Sequence, residues 1–430
     1  MNYEEAISYI QRAAAVGIKP GLERITVLAA RLGNPQQGFR CVHIGGTNGK
    51  GSVASMLASV LATAGYKVGT FTSPHLHSYT ERFRVDGRDI SPERFGVLVA
   101  QVKPEIETLR AAGVIPTEFE LHTALAFKYF AEERVDIAVV EVGLGGRFDA
   151  TNIISPEVTV ITNVSIDHTD YLGQTLAQIA TEKAGIIKPG VPVVTGAEGE
   201  ALGVIVRACE AQNARLFVLR RDFYPVEQGK SLAGQVLDVC GWWGESRDIR
   251  IRLLGRHQQA NAACAVAAAK LLAEKGWRLS EENLKEGLAA VVWPGRLEIV
   301  RENPLVILDG AHNAAGAAAL KQALEDYFPE RRLALVIGMM ADKERSKAAE
   351  ALCPRAAAVV VTRPPGPRAG DWRELAVFAR QHAETVYEVE EIFTAVAKAL
   401  SLAGPDDVVV ITGSLYLIAE ARAILVSGKM

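Results

Sequence analysis

One short run carries much of the chemistry that this chain can offer. In Gly45-Gly46-Thr47-Asn48-Gly49-Lys50-Gly51-Ser52, four glycines surround a single lysine and the run ends on a hydroxyl. Glycine lets a backbone approach a phosphate closely. Lys50 can reach terminal phosphate oxygens, and Ser52 can reach them or a magnesium ion. Upstream, Cys41 to Ile44 reads as a short strand. Downstream, Val53, Met56, Leu57, Val60, Leu61 and Ala64 recur at helical spacing. Strand, glycine turn and helix together aim backbone N–H groups at an anion from a helix N-terminus. The run departs from the usual G-x-x-x-x-G-K-[ST] pattern. Ile44 stands five places before Gly49, and Gly51 follows Lys50, so the hydroxyl comes one place late. That weighs against a generic switch GTPase or motor ATPase.

Three more groups stand at the ends of strand-like runs. Lys67 to Ser73 follows the helix as a strand, which implies a parallel sheet. Pro74 keeps Ser73 out of helical geometry at that strand's exit. Ile137 to Val142 is an apolar run interrupted by Glu141, as in a strand buried on both faces. A lone buried carboxylate is costly unless it is paired or holds a metal. A buried arginine or lysine partner would be the structural explanation. The following Gly143-Leu144-Gly145-Gly146-Arg147 favours work at a metal or phosphate site. Val158 to Val164 is another strand, with Asp167-His168-Thr169-Asp170 at its exit. Alone, His168 reads equally as a loop histidine bonded to Asp167 or Asp170. With Ser73 and Glu141 at the same sheet edge, a hydroxyl, a carboxylate and an imidazole could hold magnesium. By pattern, Lys183 on a helix from Thr175 to Ile187 is a surface lysine, and Glu23-Arg24 is a solvated face.

These residues need a large scaffold. The chain has 430 residues, 49% of them apolar and 23% charged, so two or three globular domains are expected. A net charge of -3 gives no reason to expect nucleic acid as a partner. Five scattered cysteines lack metal spacing and fit a reducing, cytoplasmic setting. The acidic N-terminus lacks the apolar segment of a signal peptide, and no apolar run is long enough to cross a membrane. Trp293-Pro294-Gly295-Arg296 breaks a helix and divides the chain into residues 1–293 and 294–430. Beyond it, strands at Leu305 to Asp309, Leu333 to Gly338, Ala358 to Thr362 and Val408 to Thr412 alternate with helices. The fold class is α/β: a phosphate-loop ATPase domain with a mainly parallel sheet, then a smaller Rossmann-like α/β domain. Leu308-Asp309-Gly310-Ala311-His312-Asn313 ends the first strand of that second domain at the ligand edge, and Arg363 to Gly370 reads as a mobile loop.

Nearly the whole chain resembles bacterial folylpolyglutamate synthase/dihydrofolate synthase, within the Mur ligase superfamily. The carriers are Gly46 to Ser52, Thr72 to Leu76, Glu141 to Arg147, Asp149 to Asn152, Asp167-His168 and Glu182 to Gly185. They continue with Pro294 to Arg296, Asp309 to Asn313 and Gly413-Ser414-Leu415-Tyr416. The glycine after Lys50 is the form this family uses. The resemblance implies an ATP-dependent amide ligase. A substrate carboxylate attacks the γ-phosphate of ATP, and the amine of L-glutamate then displaces phosphate from the acyl phosphate. Reduced folates, and dihydropteroate as well, are the implied acceptors.

By the same resemblance, Gly49, Lys50, Gly51 and Ser52 hold the phosphates, and Asn261, Arg296 and Asp309 contact ATP. Ser73, Glu141 and His168 are implied magnesium ligands. Lys183 matches a carbamylated lysine serving a second ion, and with Lys50 and His312 it forms the implied catalytic set. Glu23, Arg24, Thr117, Glu118, Phe119, Phe148, Asp149 and Ala150 match segments lining the pterin site, and Ser414 lies near the incoming glutamate. The family leans monomeric and gives no reason to expect a membrane partner. Two rivals stand beside this reading: a Mur-type ligase on cell-wall precursors, and a nucleotide-driven switch or motor. A ligase releases ADP only with both pterin and glutamate present.

Overall fold

The computed structural model of the chain describes residues 1–15 and 17–426. The last four positions of the range 294–430 lie outside the described residues. The strands in chain order are β1 (Arg40–Gly45), β2 (Val68–Phe71), β3 (Phe83–Val85), β4 (Arg88–Asp89), β5 (Ile137–Glu141), β6 (Val158–Ile161), β7 (Val193–Thr195) and β8 (Leu216–Val218). They form one sheet in the order β4-β3-β2-β5-β1-β6-β7-β8. From β2 to β8 every neighbour is parallel, and β3 and β4 add an antiparallel edge. Helices cover both faces of this sheet, so β5 sends Ile137 and Val139 into one core and Ala138 and Val140 into another, and β5 and β6 are buried along their whole length.

The carboxyl ends of β2, β5, β1 and β6 lie side by side, so Ser73, Glu141, the glycine turn and His168 emerge at one edge. The helix Lys50–Thr63 leaves the turn with Val53, Met56, Leu57, Val60 and Leu61 buried. Against it packs Arg256–Glu274, whose alanine-rich face permits close approach.

Three antiparallel strands follow β8: β9 (Phe223–Ser231), β10 (Gly234–Gly241) and β11 (Gly244–Ile251). The hairpin β10-β11 is legible from the sequence, whereas β9 is not, because most of its residues are exposed and polar. A second sheet, β12-β13-β17-β14-β15-β16, uses β12 (Glu298–Glu302), β13 (Leu305–Leu308), β14 (Leu333–Ile337), β15 (Ala356–Val361), β16 (Val386–Glu388) and β17 (Val408–Thr412). It is parallel except for β12 on β13. It has its own apolar cores, with Leu335, Ile337, Val359 and Val410 on one face and Val336, Val360, Val409 and Ile411 on the other.

The segment Arg363 to Gly370 reads from its glycines and prolines as a mobile loop, and in the structure it makes defined contacts. It holds a 3-10 turn at Pro367–Ala369, and buried Arg345 donates to the carbonyl of Ala369 at 2.5 Å and of Met339 at 2.9 Å. All five cysteines are free, and four are buried. Among the described residues, no helix is long and apolar enough to cross a membrane.

Candidate active site

Two cavities open at the edge where the sheets face each other. The first, about 800 Å³, is lined by Gly46 to Ser52, Ser73, Glu141, His168, Lys183, Asn261, Arg296, Asp309 and His312. It thus gathers the residues expected at phosphate, metal and nucleotide. Gly49 has a left-handed φ of 83°, and a Cβ there would lie 2.4 Å from Oδ1 of Asn261, so both conformation and space demand glycine. Asn48 is braced by Asn163, which accepts its backbone N–H at 3.0 Å and donates to its carbonyl at 3.0 Å. Lys50 donates to the carbonyl of Thr47 at 3.2 Å and can swing from there to a phosphate. Ser52 is buried and its hydroxyl has no partner within the protein.

Glu141 is buried and accepts the backbone N–H of Ser73 at 3.0 Å. Burial raises its carboxyl above the usual range, opposed by Lys50, the Ser73 N–H, Arg296 and Arg82. Lys183 is buried rather than on the surface, because its helix packs its basic end against the phosphate loop. Its Nζ donates to the carbonyl of Gly46 at 2.9 Å, and desolvation, with Lys50 nearby, lowers its pKa to about 7. His168 has a left-handed φ of 52°, and desolvation and Lys343 lower its pKa to about 4, which keeps the ring neutral. Asp309 spends both oxygens on backbone, accepting from Leu297 N at 3.0 Å and Ala311 N at 2.9 Å. It fixes the turn that carries His312 and the segment that carries Arg296.

The second cavity, about 1010 Å³, is lined by Thr117, Glu118, Phe119, Phe148, Asp149, Ala150, His312 and Ser414 among the expected residues. Tyr79, Arg82, His122 and Arg368 also face it. Several of these residues hold the wall together. Thr117 caps the helix Glu118–Glu133 in a reciprocal box with Glu120. Asp149 is buried and accepts from Leu144 N at 2.8 Å and Thr151 N at 3.0 Å. Phe148 is 48% exposed and free to meet a ligand.

Glu23 and Arg24 are not brought to either lining. Glu23 is exposed at its helix start, and Arg24 pairs at 3.0 Å with Glu120, which itself lines the second cavity. Arg24 supports the wall through that helix cap.

The cavities share Ser73, Pro74, Gly143, Leu144, Gly145, His168, Leu172, His312 and Leu415. At this junction sits a cluster that residue-by-residue reasoning passed over. Lys343 Nζ donates to Asp167 at 2.5 Å, with side chains only 6% and 7% exposed. Asn313 donates to Asp167 at 2.8 Å and exchanges hydrogen bonds with Asn48 of the phosphate loop at 3.1 and 3.2 Å. Asp167, Asn48 and Asn313 lie inside runs already marked as chemical, and that was their signal. Lys343 had none, since Asp342-Lys343-Glu344-Arg345 reads as a solvated charge run.

The donor set suits a hard cation. Magnesium takes one or two protein oxygens and leaves its remaining positions to phosphate and water. Glu141 offers a buried carboxylate, and the partnerless Ser52 hydroxyl faces the same cavity. Among the described residues no group of three His, Cys, Asp or Glu side chains is placed to hold a metal, so a cage made wholly of protein is not what this edge provides.

Residues 44–269 match the Mur ligase middle domain, and residues 295–415 match the Mur ligase glutamate ligase domain. The chain is 40% identical over 425 residues to the dihydrofolate synthase/folylpolyglutamate synthase of Bacillus subtilis, covering 98% of each chain. It resembles the structure of Mycobacterium tuberculosis folylpolyglutamate synthase complexed with ADP, with a TM-score of 0.93, 37% identity and 98% of each chain covered. An FPGS–AMPPCP–folate complex aligns with a TM-score of 0.89 and 36% identity, covering 99% of this chain and all of that one.

Proposed function

The chain belongs to the folylpolyglutamate synthase/dihydrofolate synthase family of Mur ligases, and from that premise we infer that it joins L-glutamate to the carboxylate of a folate at the expense of ATP. The observation that carries this is the junction of the two cavities. A triphosphate on the glycine turn and a carboxylate from the second cavity meet at Ser73, His168 and His312. In this reading the residues before 294 form the main ATP site, which Arg296 and Asp309 complete from the other side, and the remaining residues from 294 on serve glutamate.

The carboxylate attacks the γ-phosphorus, and the bond to the β–γ bridging oxygen breaks, giving acyl phosphate and ADP. The glutamate amine then attacks the acyl carbon and releases phosphate. The protein's share is positioning and charge neutralisation. Backbone N–H groups at the start of Lys50–Thr63 and the Lys50 ammonium hold the phosphates. Arg296 lies across the cavity, where it faces the negative charge that gathers as the two anions approach. His312, fixed by its Nδ1 contact to the carbonyl of Gly310 at 2.8 Å, is placed to orient the incoming amine, with Ser414 beside it. Closure of the two sheets on each other excludes water that would hydrolyse the acyl phosphate.

Glu141, Ser73 and His168 would hold magnesium beside the phosphates, where it supplies further charge neutralisation. Lys183 would serve a second ion as a carbamate. Its buried amine, aimed at the phosphate loop, can add to CO2 with loss of a proton to give a carboxylate-like group. The acceptors include dihydropteroate as well as tetrahydrofolate. The test is ADP release with each acceptor side by side. Release that needs both pterin and L-glutamate supports the ligase, and release with ATP alone refutes it.

A further inference from the structure

The phosphate loop carries glycine where most such loops place a hydroxyl, and the backbone does not explain it. Gly51 is absent from the residues with positive φ and lies inside the helix Lys50–Thr63, where alanine would be favoured. Space explains it. A Cβ at Gly51 would stand 3.0 Å from Cζ2 and 3.3 Å from Cε2 and Nε1 of Trp293. The same indole takes the guanidinium of Arg84 at 5.2 Å from its ring centre, and Arg84 is itself held by Asp89 at 2.6 Å.

Trp293 belongs to the segment that joins the two sheets. Two residues on, Gly295 donates to Glu298 at 2.9 Å and accepts from Gly310 N at 2.9 Å. Three residues on is Arg296, which faces the nucleotide cavity, and after it Leu297 is pinned to Asp309. Trp293 itself lines neither cavity. We propose that Trp293 is a positioning residue: its indole, seated against Gly51 at the first turn after the phosphate loop, locks the connecting segment to that loop and thereby sets Arg296 over the nucleotide. This rests on the reading of that cavity as the ATP site.

A compensating pair tests it. Gly51→Ala in the full chain overpacks the seat and lowers kcat/KM for ATP about tenfold. In a Trp293→Leu background the methyl group has room, and the same change costs less than about twofold. An equal cost of Gly51→Ala in both backgrounds overturns the proposal. Should Trp293→Leu fold poorly, a second measurement decides. Magnesium with AMPPCP changes the intrinsic tryptophan fluorescence of the wild type. That change is lost in Trp293→Phe and kept in Trp372→Phe, and its survival in Trp293→Phe overturns the proposal. Calorimetry separates the two levels. No AMPPCP binding by the wild type would sink the ATP reading and this inference with it. Intact binding with a Trp293-independent signal sinks this inference alone.

Discussion

Lys343→Met removes the cation that crosses from the second sheet to the exit of β6. The Lys343–Asp167 contact of 2.5 Å is almost wholly buried, so solvent does little to screen it. Breaking such a pair costs about 3–5 kcal/mol when the remaining charge is stranded. Asp167 is not stranded, because it also accepts His168 N at 2.8 Å and Asn313 Nδ2 at 2.8 Å. A charge-assisted bond alone is worth about 1.5–3 kcal/mol, so a loss near 2.5 kcal/mol, or roughly 70-fold, is expected. It falls on the closed arrangement and not on either core, since each sheet keeps its own apolar packing. The assay is kcat/KM for L-glutamate at saturating ATP and tetrahydrofolate, with Tm measured alongside. We expect kcat/KM to fall by about two orders of magnitude and Tm to move by only a few degrees. Lys343 also lines the acceptor cavity, so Asp167→Asn and the double variant separate closure from substrate contact. If Lys343 acts through Asp167, the double variant costs little more than either single one. Independent, additive losses, or a Lys343→Met enzyme within threefold of wild type, would refute the reasoning.

Lys50→Ala abolishes turnover while leaving the fold intact, since the lysine makes one hydrogen bond, to a loop carbonyl; near-normal activity with an unchanged circular dichroism spectrum would count against the site. Lys183→Ala loses most activity, and the wild type loses activity reversibly when bicarbonate and CO2 are stripped; an indifferent wild type removes the carbamate. Acid weakens the fold through buried neutral histidines: desolvation lowers the pKa of His43 from 6.5 to about 3 and that of His122 well below its ordinary value. The unfolded chain binds these protons first, so the stability they contribute is complete above pH 6.5 and is lost as pH falls toward 3, at about 1.4 kcal/mol per pH unit and histidine. Urea unfolding at pH 7 and pH 4.5 shows this slope, and His43→Gln must reduce it; an unchanged slope discards the assignment.

The central parallel strands β1, β2, β5, β6, β13, β14, β15 and β17 were legible because a strand covered on both faces must be apolar throughout, whereas the three-residue parallel strands β7, β8 and β16 are too short to carry that signal. Glu141 announced itself by breaking such a run. The edge strands were less visible. β12 (Glu298–Glu302) and β9 carry exposed, charged residues because an edge need bury only part of its surface. Lys183 shows the opposite limit. Its helix has an ordinary polar face by pattern, and only the approach of the phosphate loop turns that face inward. Lys343 is another case, buried by a partner from a different sheet that no local pattern can foresee. Glu23 and Arg24 came from matching segments, and the fold uses Arg24 one contact further back, on the Glu120 cap.

What the second sheet adds to the first follows from charge. A triphosphate and a carboxylate repel, and one glycine turn with one lysine cannot neutralise both. The first sheet adds Arg82 to the second cavity, and the connecting segment adds Arg296 to the first. Lys343 and Arg368 arrive only with the second sheet, and both face the acceptor cavity. Lys343 is held by buried Asp167 at 2.5 Å, whereas Arg368 is paired with Asp342 at 2.7 Å in a contact that is half exposed. Full neutralisation therefore requires closure, and closure also shuts out water. An enzyme built this way couples the moment at which its anions can meet to the moment at which hydrolysis is suppressed. That coupling explains why the cross-sheet bonds of Asn48, Asn313, Asp167 and Lys343 stand at the mouth of the nucleotide cavity and not at the periphery of the contact between the sheets.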